Sequence, residues 1–210
     1  MSDLNIIDVA PIEIRPEVTI LSVLRHLNYK AWFAIAEFID NAIQSSIANY
    51  EALQENDETY KLVVDIRLNT TKPGSLIITD NAAGISLKDF PRAFKAAQVP
   101  DMKGGLSEFG MGMKSAACWF AEKWSVRTKA LNETDERLIS FDVQNIINNK
   151  IERLEVESRR VKISSHYTVV NLQNLHHLPQ GRTVGKIKDH LTSIYRVFLR
   201  VILNEGARFA

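Results

Sequence analysis

The 210-residue sequence predicts an α+β domain: a mixed, mostly antiparallel sheet with helices on one face. Three observations predict it. Residues 30–50 carry apolar side chains at helical spacing. Residues 61–68 alternate strictly, with Leu62, Val64, Ile66 and Leu68 on one face of a half-buried strand. The overall order reads helix, strands, helices, strands, helix, which is not the regular βαβ alternation of a doubly wound fold.

The elements follow in order. Residues 11–20 alternate and read as a short strand and turn. In 30–50, Trp32, Ile35, Ile39, Ala42, Ile43 and Ser46 recur at spacings of three and four, so this stretch is an amphipathic helix. Residues 51–59 are acidic and polar and read as a loop. After the 61–68 strand, Pro73-Gly74 makes a turn. Residues 75–79 form a second strand that runs into Asp80-Asn81-Ala82-Ala83-Gly84. A helix near 87–97 follows, then a glycine-bearing loop over 99–112 and a small-residue helix from 114 to about 122. Residues 124–129, 137–143, 151–156 and 167–172 read as further strands. A last helix runs over 185–203, with Ile187, Leu191, Ile194, Phe198 and Val201 as its stripe. No linker is long enough to separate two domains, so residues 1–210 read as one.

Composition excludes several classes. Lys and Arg number 26 against 25 Asp and Glu, a net charge of +1, which argues against a strongly basic nucleic-acid binder. The single cysteine, Cys118, excludes an intrachain disulfide and a cysteine-based zinc finger, and fits a reducing, cytoplasmic setting. No apolar run approaches the roughly 18 residues that span a bilayer, and residues 1–8 lack the plan of a signal peptide.

Three segments carry chemistry. Glu37, Asp40, Asn41 and Gln44 stand at i, i+3, i+4 and i+7, opposite the apolar stripe. Many such faces are simply solvated. This one holds two carboxylates and two amides with no Lys or Arg, and such oxygens suit a hard cation such as Mg²⁺. A carboxylate there can orient or deprotonate a water. Asp80 ends an apolar strand and is followed by small residues and Gly84. That is turn chemistry; it is equally a carboxylate placed to accept from a ligand's amino group. Between Lys103 and Ala117, glycines precede a helical run. Glycine lets backbone N–H groups converge on an anion, and the helix N-terminus adds partial positive charge. Lys114 and Ser115 add a cation and a hydroxyl. Met113 separates Gly112 from Lys114, so this is not a P-loop. His166, His176 and His177 read as structural or exposed rather than as metal ligands.

Together, Glu37-x-x-Asp40-Asn41, Asp80-Asn-Ala-Ala-Gly84 and Gly110-Met-Gly112-Met-Lys114-Ser115 resemble the ordered motifs of the GHKL ATPases, the superfamily of gyrase B, the heat-shock chaperone ATPases, histidine kinases and MutL. Residues 165–172 resemble the late strand that carries the family's adenine-side threonine. The motifs span about residues 30–172. The Glu-Phe-Gly-Met-Gly-Met-Lys-Ser-Ala form of the glycine motif looks closest to the Microrchidia (MORC) and chaperone-like branch.

The resemblance implies a Bergerat-type two-layer α/β sandwich that binds Mg-ATP. It implies slow hydrolysis to ADP and phosphate, driving lid closure and a conformational or dimerisation switch. Glu37 would be the general base or water orienter, Asn41 the Mg²⁺ ligand, and Asp40 a partner behind them. Asp80 would accept the adenine amino group, helped by Gly84 and, through water, by Thr168. Gly110, Met111, Gly112 and Met113 would wrap the phosphates, with Lys114 and Ser115 as further phosphate contacts and residues 100–109 as the lid. Ala82 and Tyr167 stand where the family usually has glycine. In the hydrolysing branches a following transducer domain supplies a lysine to the γ-phosphate. Helix 185–203 is expected to lead toward such a domain, and full hydrolysis to need it. The expected partners are ATP or ADP and, with nucleotide bound, a second copy; nucleic acid enters only in a larger assembly, and no membrane is involved. Two alternatives stand beside this reading. One is a nucleotide-binding module that does not hydrolyse. The other is phosphotransfer of the histidine-kinase type, which usually has Asn at the position of Glu37 and an upstream histidine-bearing helical domain; neither is seen.

Overall fold

The structure, a computed structural model, describes residues 18–95 and 112–196, and the backbone of 200–205. Alternating residues in the first half build β1 (Val63–Asn69) and β2 (Ser75–Asp80), antiparallel neighbours with Val64 opposite Asp80 and Ile66 opposite Ile78. β3 (Ala121–Lys129), β4 (Asp135–Asp142), β5 (Val156–Arg160) and β6 (Tyr167–Leu175) extend the antiparallel sheet. β7 (Arg200–Glu205) lies parallel to β1. The strand order is β5-β4-β3-β6-β2-β1-β7. One face is apolar: Val64, Ile66, Leu76, Ile78, Trp124, Val126, Val170 and Leu172 are buried. The alternate residues, among them Arg67, Ser125, Arg127 and Gln173, line the other face, as the period of two requires.

The helices supply the second layer. They are α1 (Ile20–Leu24), α2 (Ala31–Ala48), α3 (Tyr50–Asn56), α4 (Phe90–Phe94), α5 (Gly112–Phe120), α6 (Val143–Asn148) and α7 (Arg182–Tyr195). α2 buries Ile35, Phe38, Ile39, Ala42 and Ile43, and α7 buries Val184, Ile187, Leu191 and Tyr195. These side chains join the inner sheet face and the buried residues of α5 in one core. The α+β two-layer architecture, with its mixed and mostly antiparallel sheet, is the one the patterning predicts.

Four expectations need correction. The 51–59 segment is not wholly loop, because α3 forms there. Its Leu53 is fully buried against Tyr60 and Ala83, and that burial outweighs the polar composition. The strand expected at 151–156 lies at Val156–Arg160. Ile151 and Leu154 instead pack on the core from irregular chain, and β5 is held by backbone pairing to β4 with every side chain exposed. α6 goes unseen in the sequence reading, although Asp142 caps it by accepting from Asn145 N–H at 3.1 Å. The last helix does not run over 185–203. It ends at Tyr195, Ile194 is exposed, and Arg200–Glu205 is strand. Parallel pairing satisfies the edge of β1, and that ladder wins over a continued helix. Residues 11–17 and the 99–111 loop lie outside the described residues.

Ile39 is fully buried at the centre of α2, against the sheet. Ile39→Ala is expected to lower the unfolding free energy by about 2–5 kcal/mol, read by denaturant titration.

Candidate functional site

Two polar groups interrupt the apolar layer. The first lies where α5 begins beside the middle of α2. A Cβ on Gly112 would stand 2.0 Å from Glu37 Oε2, so only glycine lets the backbone come this close to the carboxylate. Gly112 thereby sets the N-terminal end of α5, where the helix dipole leaves partial positive charge, against Glu37. Burial raises the Glu37 carboxyl above its ordinary range, and Asp40 one turn on raises it further. Burial also raises Asp40, opposed by the hydrogen bond that the Tyr195 hydroxyl donates to Asp40 Oδ1 at 2.6 Å. Asn41 Nδ2 donates to the Glu37 carbonyl at 2.8 Å, which turns the amide nitrogen toward the helix backbone and Oδ1 away from it. Tyr29 sits beside this group. Its hydroxyl is raised by burial and by Glu37, and it is hydrogen bonded to Ser115.

The second group lies at the end of β2. Asp80 is buried among the inner residues, and burial pushes its carboxyl up to about 7. The backbone N–H groups of Ala82 (3.0 Å) and Thr168 donate to it. Register aligns Asp80, Thr168 and Thr128 side by side across β2, β6 and β3. The loop after Asp80 is pinned at each step. Asn81 Oδ1 accepts from Val63 N–H at 2.7 Å, and His166 Nδ1 donates to the Ala82 carbonyl at 2.9 Å. Leu131 N–H donates to the Ala83 carbonyl at 2.8 Å. Gly84 has φ +71°, and a Cβ there would lie 2.1 Å from the Lys129 carbonyl oxygen. Behind that carbonyl, Lys129 is itself fully buried, with Nζ donating to Ala130 O at 2.8 Å and Ser165 O at 3.0 Å.

Helix α2 joins the two groups. Ser46, nine residues beyond Glu37 and so roughly 13 Å along the axis, accepts from the Tyr60 hydroxyl at 2.9 Å. Tyr60 lies close enough to Asp80 to feel its charge.

The residues singled out in the sequence divide accordingly. Glu37, Asp40, Asn41 and Gly112 come together, as do Asp80, Gly84 and Thr168. Met113 packs on the core instead. Lys114 is buried, with Nζ on the Ala93 carbonyl at 3.0 Å, and burial lowers it to about 8. Ser115 is buried toward Tyr29. Gly110 and Met111 lie outside the described residues. The departure at Tyr167 does not crowd Asp80, because the side chain next to Thr168 alternates to the other face, where its hydroxyl meets Glu136. Sequence reasoning misses Thr128, Tyr29, Tyr195 and the loop role of His166. Thr128 had a signal, since the alternation Trp124, Val126, Thr128 points it inward; the other three had none.

Among the described residues, no group of three His, Cys, Asp or Glu side chains forms a metal cage. One amide oxygen, Asn41 Oδ1, beside the N-terminal end of α5 fits Mg²⁺, which usually keeps waters and phosphate oxygens as its other ligands.

The description "Histidine kinase-, DNA gyrase B-, and HSP90-like ATPase" matches residues 29–172, well over half of the chain. The chain belongs to this family. No curated protein matches it. The matched region opens at Tyr29 and closes on β6, so Glu37, Asp40, Asn41, Gly112, Asp80, Gly84 and Thr168 all fall inside it. Membership supports ATP binding. No helix among the described residues is long and apolar enough to cross a membrane.

Asp80 titrates higher in the folded chain than its ordinary value of 3.8. Its contribution to stability is therefore fully present below about 3.8 and is lost as pH rises through about 7. Asp80→Asn keeps an acceptor oxygen but removes the buried charge. Without nucleotide, the variant is expected to gain on wild type by about 1–3 kcal/mol between pH 5 and pH 8, read by thermal unfolding.

Proposed function

We propose that this domain binds Mg-ATP, with adenine at Asp80 and the triphosphate at the Gly112 end of α5, and hydrolyses it slowly to ADP and phosphate. The observation that carries the reading is the contact between Gly112 and Glu37. It puts a helix N-terminus, which attracts phosphate, beside a carboxylate able to take a proton. Asp80 accepts from the adenine 6-amino group, and Gly84 lets the base lie close to the backbone. Asn41 Oδ1 would hold Mg²⁺, which would neutralise phosphate charge when bound. Glu37 orients a water and takes its proton as the water oxygen bonds to the γ-phosphorus. The bond from that phosphorus to the β–γ bridging oxygen breaks, and ADP leaves with the electron pair. Burial, and then Asp40, raise the Glu37 carboxyl, which makes its carboxylate a stronger base toward that proton. Asp40, held by Tyr195, stands one turn from Glu37 and raises its carboxyl further. Lys114 and Ser115, turned to Ala93 and Tyr29, shape the start of α5 in this reading rather than touching phosphate. The likeness of the glycine motif to the MORC branch favours coupling of turnover to a conformational or dimerisation switch, which sedimentation with and without a non-hydrolysable ATP analogue reads.

Nucleotide at 100 times its dissociation constant should stabilise the fold by about 2.7 kcal/mol, a shift of roughly 5–10 °C in melting temperature. Asp80→Asn should abolish the shift. Glu37→Ala should keep the shift and lower phosphate release about 10²–10⁴-fold; equal turnover in Glu37→Ala and wild type would leave binding without this hydrolysis.

The adenine amino group favours ionised Asp80, so binding pulls its proton off. ATP affinity should then rise from pH 6 to pH 8 by about tenfold and level off above the Asp80 titration. Calorimetry at pH 6 should show proton release into the buffer.

A further inference from the structure

We infer that Thr128 is a specificity-determining positioning residue: by accepting a hydrogen bond from the Thr168 hydroxyl it leaves Thr168 an acceptor toward the ligand, so that a 6-amino purine is selected over a 6-oxo purine. The inference rests on the placement of adenine at Asp80 argued above.

Thr128 is fully buried and its hydroxyl meets three groups. Ile85 N–H donates to it at 2.9 Å. The Tyr167 carbonyl lies at 3.1 Å and the Thr168 hydroxyl at 3.2 Å. A hydroxyl has one proton and two lone pairs. The Ile85 N–H can only donate, so it takes one lone pair. The Tyr167 carbonyl can only accept, so it takes the proton. The second lone pair faces Thr168, which therefore donates. Thr168 N–H is already committed to the Asp80 carboxylate. Both donors of Thr168 are thus turned to protein. What remains toward the ligand are its hydroxyl lone pairs, beside the oxygens of Asp80 in the same row across the sheet.

A 6-amino purine brings N–H donors to this row. A 6-oxo purine brings a carbonyl oxygen and sets lone pairs against lone pairs in a buried place. A site built to accept at position 6 rejects the base that cannot donate there. Without the Thr128 hydroxyl, the Thr168 proton is free to swing toward the ligand and meet a carbonyl. The same hydroxyl also ties Ile85, just past Gly84, to β3, so geometry and polarity share one atom.

The experiment measures dissociation constants of Mg-ATP and of magnesium inosine triphosphate, which differ at position 6 of the base, on the full chain at pH 8. At that pH Asp80 is ionised in wild type. Wild type should prefer ATP. Thr128→Ser should keep that preference, and Thr128→Val should narrow the ratio by about tenfold. An unchanged ratio in folded Thr128→Val, or both nucleotides weakened in proportion, would overturn the inference and leave Thr128 a packing role. If Thr128→Val does not fold, Thr128→Cys, whose thiol is a weak donor and acceptor, reads the same ratio. Asp80→Asn is the separate control: ATP affinity unchanged there would remove the adenine site itself, a failure distinct from an unaltered ratio in the Thr128 variants.

Discussion

A carboxylate taken out of water at the end of β2 is the constraint on which the rest of the structure depends. Asp80 is held by backbone N–H groups from Ala82 and from the neighbouring strand at Thr168. A buried carboxyl on such support is costly unless the donors stay in place. The chain around it is accordingly tied down. Asn81 reaches back to Val63 and Lys61, His166 holds the Ala82 carbonyl, and Gly84 rests against the Lys129 backbone. The loop that would meet a base is set before any ligand arrives, so little ordering is left for binding to oppose.

The other end of the site works by a different device. At α5 the deciding atom is an absent one, the Cβ of Gly112, which leaves room for Glu37. The Glu37–Asp40 pair keeps two acidic groups one turn apart, partly out of solvent. Tyr195 moderates that repulsion by donating to Asp40, and it does so from the last turn of α7. Beyond α7 the chain adds β7 to the edge of the sheet beside β1. The Tyr195 hydroxyl thus ties the acidic helix face to the C-terminal part of the fold, and Ser46 and Tyr60 tie the same helix to the neighbourhood of Asp80.

Much of this was legible from residue order. Helix α2 and strands β1 and β2 announce themselves by period, because their buried faces are continuous and their solvent faces polar. Glu37, Asp40, Asn41, Asp80 and Gly84 could be picked out since acids and glycines at element ends are unusual enough to notice. Lys114 and Ser115 could not be placed from order alone. A lysine after a glycine loop looks like a phosphate contact, yet its Nζ meets a carbonyl of α4, a partner 21 residues away in sequence. Tyr29 and Tyr195 carry no local mark, since their roles come from facing the acidic stripe of α2. The C-terminal stretch misleads for a related reason. Its apolar spacing continues a helix on paper, while an unpaired edge of β1 offers a full ladder of backbone hydrogen bonds.

By itself the sequence determined the elements with strong periodicity, the polar stripe of α2, the acid at the end of β2 and the glycines that allow close approach, because each of these is a property of residues a few positions apart. Only the tertiary structure decided which donors face which acceptors. Thr128 meets Thr168 across two strands 40 residues apart, Tyr195 meets Asp40 over 155, and His166 meets Ala82 over 84. Such pairings depend on sheet register and helix packing, and no local pattern encodes the direction in which a hydroxyl proton points.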